Sequence, residues 1–193
     1  MATEFELKYA ATPAVLAQVK ATLPGEYKVI SMETTYYDTP DKALSRRKWT
    51  LRRRLENGVS VCTLKTPAGG LGRNEWELER ASIGEAIPEL CKLSNLSELA
   101  DLTKEGVQPV CGARFTRQAC LLDLGGARAE LALDEGILFS GSREIPLAEL
   151  EVELKSGDQA VMLAWSQALA LRFGLKPEKK SKFRRALSLA EGE

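Results

Sequence analysis

The 193-residue chain contains no histidine. That absence removes imidazole acid–base catalysis, histidine-activated nucleophiles and histidine-ligated zinc. Net charge is lacking too: 27 Lys and Arg balance 27 Asp and Glu. No global field therefore favours nucleic acid or an acidic membrane, and any functional charge must be local. There is no basic tail and no long like-charge block. The longest apolar stretch, AVMLAWSQALALRFGL at 160–175, is too short to span a bilayer and reads as a core helix. The N-terminus is acidic and amphipathic, with no basic start followed by an apolar run, so it does not read as a secretory signal. Cys62, Cys91, Cys111 and Cys120 show no CxxC spacing and have apolar neighbours. Buried free thiols in a reducing cytoplasm are the expectation. With no linker, low-complexity tract or repeat, one domain over 1–193 is expected.

What remains for chemistry is carboxylates, Lys, Arg and hard cations. Hydrophobic residues make up 44% and charged residues 28%, ordinary for a globular protein. The pattern TEFELKYA opens as a strand. ATPAVLAQVKATLPG then reads as a short helix with Thr12 as N-cap and Pro13 at its first position. Strand patterns follow in KVISMETTYYDT, KWTLRRRLENG, VSVCTLKTP and RNEWELERA, with Asn57-Gly58 a strong hairpin signal. Residues 83–106 are helical in composition, with Pro88 expected near a helix start. Strands resume in PVCGARFTRQACLLDL, ARAELALDEG, ILFSGSREIPL and AELEVELKSG, with turns at 125–126, 134–136 and 140–142. A last amphipathic helix covers DQAVMLAWSQALALRFG, followed by LKPEKKSKFRRAL. Eight or nine consecutive antiparallel strands with a few helices indicate one α+β domain and favour closure into a barrel.

The strands share one feature. Glu4, Glu6 and Lys8 alternate with Phe5, Leu7 and Tyr9, and so fall on one face. Arg52 and Arg54 share a face while Arg53 lies with Leu51 and Leu55. Glu75, Glu77 and Glu79 oppose Trp76 and Leu78; Glu130 and Asp134 oppose Leu131 and Leu133; Glu149, Glu151 and Glu153 oppose Leu150, Val152 and Leu154. Lys65 shares a face with Thr63 and Val61. Solvated sheet faces would look similar, but like charges on adjacent strands repel, and an ordinary exposed sheet intersperses neutral polar residues. Here the charge is segregated by sign, acidic on some strands and basic on others. A dry interior of this kind would cost several kcal/mol per unpaired ion. It becomes tolerable when wet and filled by divalent cations and phosphate, since carboxylates ligate Mg²⁺ or Mn²⁺ and Arg grips phosphate.

Glu4-x-Glu6-x-Lys8 matches the ExExK signature of the CYTH superfamily, the triphosphate tunnel metalloenzymes. TTYYDTPDKALSRRKWTLRRR resembles that family's Tyr-x-Asp-Thr-Pro segment and LRxR strand. TLK (63–65), EWE (75–77), LDEG (133–136), ELEVELKSG (149–157) and KSKF (180–183) follow in family order, covering nearly the whole chain. The resemblance implies a closed antiparallel β-barrel of eight strands with packing helices, whose lumen binds triphosphate. It implies Glu4, Glu6, Glu151 and Glu153 as principal metal ligands for Mg²⁺ or Mn²⁺, with Glu75 and Glu77, and Glu130 and Asp134, as further acids. Asp134 has the alternative of capping a turn. Lys8, Arg52, Arg54, Lys65, Arg117 and Lys182 would hold phosphates, and Glu4, Glu6, Lys8 and Glu153 would carry the chemistry. Arg114 and Lys180 are further carry-overs, and Arg114 needs a bulge to share the face of Arg117. A helical polyphosphate-associated domain of some relatives is not expected here. The implied activity is hydrolysis of triphosphate, foremost inorganic tripolyphosphate. Its rivals are thiamine triphosphate hydrolysis, adenylyl cyclase chemistry and a polyphosphate- or nucleotide-binding module without turnover. The expected partner is a small-molecule triphosphate, not nucleic acid or membrane, and the expected state is monomer or homodimer.

Overall fold

The computed structural model describes residues 2–23, 25–68 and 72–191, with the side chains of 2–4 and 191 outside the described set. The strands are β1 (Ala2–Glu4), β2 (Glu6–Ala10), β3 (Lys28–Asp38), β4 (Thr50–Glu56), β5 (Val59–Pro67), β6 (Arg73–Glu79), β7 (Gln108–Asp123), β8 (Ala127–Ser140), β9 (Arg143–Gly157) and β10 (Lys176–Pro177). The helices are α1 (Pro13–Thr22), α2 (Ala43–Arg46), α3 (Ile83–Ser94), α4 (Ser97–Leu102), α5 (Gln159–Phe173) and α6 (Lys182–Glu191). The fold is α+β, built on one antiparallel sheet in the order β1-β6-β5-β4-β3-β7-β8-β9-β2-β10. Among the described residues no helix is long and apolar enough to cross a membrane.

Local chemistry accounts for many boundaries. Thr12 caps α1 by accepting from the Val15 N–H at 3.3 Å, and Pro13 takes the first helical position. Asn57 and Gly58 both have positive φ (49° and 89°), which suits the two-residue turn between β4 and β5. Asp158 caps α5, and Gly174 ends it with φ 63°.

Four expectations are corrected. Among the described residues the sheet is a ladder of ten strands, not eight, whose hydrogen-bonded order is not closed, and its N-terminal strand is divided at Phe5. Its first part pairs with β6 and its second with β9, leaving β1 and β10 as the ends. No turn occurs at 134–136: β8 runs straight through it. A Cβ on Gly136 would lie 2.1 Å from the Arg114 carbonyl oxygen, so this glycine permits close strand approach and does not break the strand. Pro88 sits inside α3, whose start is capped by Ser82; it lies on the exposed face, one turn after Gly84. KSKFRRAL contributes a helix, α6, where none was expected.

The apolar strand faces look outward, beneath helices. Leu131, Leu133, Leu150 and Val152 pack under Leu16 and Val19 of α1 and Met162 and Leu169 of α5. Leu51, Cys62 and Leu64 pack under Ile83 and Leu90 of α3 and Leu99 of α4. A third cluster lies on the opposite, inner face, where Phe183, Ala186 and Leu187 of α6 meet Tyr36, Phe115, Leu138 and Leu147. The four cysteines are free; Cys62, Cys111 and Cys120 are buried and Cys91 is half-buried.

Candidate active site

With helices covering the apolar faces, the charged faces turn inward around a cavity of about 340 Å³. Strand alternation sets its lining: Glu6 and Lys8 from β2, Arg52 and Arg54 from β4, Lys65 from β5, Glu75 and Glu77 from β6. Arg117, Glu130, Glu151 and Glu153 come from β7, β8 and β9, and Lys182 from the start of α6.

One side of the cavity is basic. Arg52 lies 3.5 Å from both Glu75 and Glu77, and Lys65 lies 3.2 Å from Glu75. Burial lifts the Glu77 carboxyl, yet Arg52 and a Thr63 hydroxyl donating at 2.9 Å outweigh it and hold its pKa low. Arg54 donates to the Thr34 hydroxyl at 3.3 Å. Burial first, then the neighbouring guanidiniums of Arg52 and Arg117, pull the pKa of Arg54 below its ordinary value. Cations crowded together in a half-buried cavity are stabilised by an anion.

Strands β2, β9 and β8 bring their carboxylates together, interleaved with Lys8 on Glu6 at 2.9 Å and Lys155 on Glu153 at 2.8 Å. Glu6 faces Glu153 across β2 and β9, and Glu153 faces Glu130 across β9 and β8, so three carboxylates form one row over adjacent strands. Directly opposed like charges destabilise a sheet unless a cation lies between them. Oxygen-only donors of this kind suit a hard divalent metal. Glu4, expected with them, has its side chain outside the described residues.

A second acidic group, Asp134, Glu149 and Glu151, brings its ligand atoms within 4.8 Å of one another and could hold a metal ion. It is already neutralised by the protein. Arg117 makes two hydrogen bonds to Asp134, at 2.8 and 2.7 Å, and also reaches Glu151. Lys182 lies 2.8 Å from Asp134 and 2.7 Å from Glu151 and bonds Glu149, while Arg185 bonds Glu149. Against the opposing effect of burial, Glu151 and Asp134 hold Arg117 and Lys182 firmly charged, with both pKa values raised. Burial pushes Glu149 up to about 7, with Glu151 beside it adding to the rise and Lys182 and Arg185 opposing it. Burial also lifts the Glu151 carboxyl, but Lys182 and Arg117 outweigh it and hold this group well below the usual range. A metal here would have to expel Arg117 and Lys182, 13% and 8% exposed, whereas the cations paired with the acid row, Lys8 and Lys155, are 18% and 37% exposed, so the row of Glu6, Glu153 and Glu130 fits a metal better.

Three described candidates, Arg114, Lys180 and Asp134, do not line the cavity. Arg114 points outward, 2.9 Å from Glu144 and over the Phe139 ring, because β7 stays in register where a bulge would be needed. Lys180 is exposed just before α6. Asp134 is buried mid-strand and is no turn cap. Conversely, Glu56, Arg73, Lys155, Glu149 and Arg185 belong to the inner charge system without having been singled out for a role. Extending each alternation by one step (52-54-56, 73-75-77, 153-155) finds the first three. The i, i+3 spacing of Lys182 and Arg185 on a helix finds the last.

The neighbouring Arg53 donates to Ser60 at 2.8 Å and does not line the cavity. If the cavity takes the triphosphate that the sequence implies, Arg54→Ala is expected to weaken its binding by about 1.5–3 kcal/mol, the range for a hydrogen bond to a charged group. Arg53→Ala should leave binding almost unchanged. Calorimetric titration of both variants checks the alternation, which fails if Arg53→Ala is the more damaging.

Known proteins match this chain along most of its length. The family model described as the CYTH domain matches residues 2–187. The inorganic triphosphatase of Haemophilus influenzae is 32% identical over 166 residues, covering 82% of this chain and 47% of that protein. The chain thus spans about half the length of that relative. Among solved structures, PH1819 from Pyrococcus horikoshii superposes with TM-score 0.65 at 22% identity, covering 98% of this chain and 99% of that one. HpAC1 from Hippeastrum, described as having a dominant triphosphatase activity, gives TM-score 0.63 at 16% identity, covering 97% and 96%. At these identities the two structures show the fold.

Proposed function

The chain belongs to the CYTH domain family, and on that footing we propose that it hydrolyses triphosphate with the help of Mg²⁺ or Mn²⁺. Inorganic tripolyphosphate is the leading substrate. The observation that carries this reading is the convergence of Arg52, Arg54 and Arg117 inside one cavity whose far wall is a carboxylate row. A purely polyanion-binding surface would be weakened by that row.

In this reading Arg52, Arg54, Lys65 and Arg117 bind the phosphate oxygens, and Lys8 and Lys182 complete the grip. They fix the chain so that its terminal phosphorus faces the acid row. Glu6, Glu153 and Glu130, with Glu4, would hold the metal. Bound there, it would supply Lewis-acid polarisation of a phosphoryl oxygen and a lower pKa for water. Water oxygen attacks the terminal phosphorus and one of the row's carboxylates accepts its proton. The anhydride P–O bond breaks, and pyrophosphate leaves with the bonding pair. No covalent enzyme intermediate is needed, in keeping with a chain that lacks histidine.

Orthophosphate release over tripolyphosphate, pyrophosphate, thiamine triphosphate and ATP, each with Mg²⁺ or Mn²⁺, tests the substrate. Tripolyphosphate should give the highest kcat/KM. A thiamine triphosphate or ATP rate well above it would reassign the substrate.

A further inference from the structure

The acid row carries its own counter-cation. Lys155 Nζ lies 2.8 Å from a Glu153 oxygen and 3.8 Å from a Glu130 oxygen. It follows Glu149, Glu151 and Glu153 on the inward face of β9 and lines the cavity. Its side chain is 37% exposed, while those of Glu153 and Glu130 are 28% and 27% exposed. The ammonium therefore stands where two of the row's three carboxylates meet, with its own stem open to water, while the third, Glu6, is held by Lys8 at 2.9 Å.

We propose that Lys155 is an exchangeable internal cation, neutralising the acid row in the metal-free protein and leaving it when a divalent ion binds. The inference rests on the acid row being the metal site. An ammonium on the Glu153 carboxylate draws off the charge a metal would use, and two cations sharing Glu153 repel at short range. Exchange is therefore built into metal binding, and Lys155 lowers the affinity for metal. Lysine suits this role, because one strongly hydrated point charge on a flexible stem can withdraw to water, whereas a forked guanidinium would keep its grip. The contact is also only partly buried, so it is weak enough to yield.

Mn²⁺ titration followed by the EPR signal of the free ion, without phosphate, tests the exchange. Lys155→Met should bind Mn²⁺ about two- to fivefold tighter than wild type, the factor for a partly screened ion pair. Lys155→Arg should bind no tighter than wild type. Metal-free Lys155→Met should melt below wild type, and saturating Mn²⁺ should raise its melting temperature by more. Lost packing alone would lower the melting temperature without tightening Mn²⁺ binding. If Glu6→Gln and Glu130→Gln bind Mn²⁺ as wild type does, the acid row is not the metal site and both readings fall. If those two variants bind weakly but Lys155→Met is no tighter than wild type, the exchange alone is overturned.

Discussion

Glu153→Gln is expected to abolish most orthophosphate release from tripolyphosphate, by at least about 100-fold, with the protein remaining folded. Glu153 is the middle member of the acid row, opposed by Glu6 on one side and Glu130 on the other. A neutral amide there keeps the shape but removes charge that, in the proposed site, three converging carboxylates would contribute to holding a divalent ion. Substitutions one shell further out already cost 10–100-fold in metal sites, so loss of a central ligand should exceed that. Folding should be little affected, because the side chain is part-exposed in a wet cavity and contributes little to either apolar cluster. Glu6→Gln should behave the same way. Steady-state rates at limiting Mg²⁺, with circular dichroism on the same samples, decide the matter. Near-normal rates for both variants would remove the acid row from the chemistry.

Lys182→Met is expected to cost about 3–5 kcal/mol of stability, the range for breaking a buried ion pair from one side. Lys182 touches three carboxylates at once, and its side chain is 8% exposed against 0% for Asp134 and Glu149. Arg117 and Arg185 cannot neutralise all three acids, so one buried carboxylate is left either uncompensated or forced to take up a proton, Glu149 being already raised to about 7. The same change loosens the start of α6, whose Phe183 packs at 5.0 Å on Tyr36. Urea unfolding monitored by tryptophan fluorescence gives the value. Lys180→Ala, two residues away and exposed, serves as the control and should be close to neutral. A loss below about 1 kcal/mol, typical of an exposed pair, would mean that this charge network is wetted and α6 is not inserted as described.

Strand periodicity carried most of the site, because the side-chain period of two is a geometric necessity once a segment is a strand. Glu6, Lys8, Arg52, Arg54 and Lys65 reach the cavity on that ground alone. The inversion of the sheet, with charges in and leucines out, followed from charge segregated by sign. Tertiary effects were harder to read. Gly136 resembles a turn residue beside Asp134-Glu135, and only the proximity of Phe115 on the neighbouring strand explains why it is glycine. The α6 segment is short and charge-rich, and its burial depends on Glu149, Glu151 and Asp134 from distant strands meeting Lys182 and Arg185. Phe183, Ala186 and Leu187 at i, i+3 and i+4 are the local trace of that docking. The change of partner at Phe5 has no local signal, because both halves of the N-terminal segment are good strands and only their partners differ.

Phosphorus NMR of tripolyphosphate incubated with the protein tests most directly whether the inward charges form a hydrolytic site. In Mg²⁺ or Mn²⁺ the tripolyphosphate signals should give way to orthophosphate and pyrophosphate in equal amounts, and chelating the metal should stop the change. An unchanged spectrum in both metals would contradict hydrolysis and leave a cavity that binds triphosphate without cleaving it.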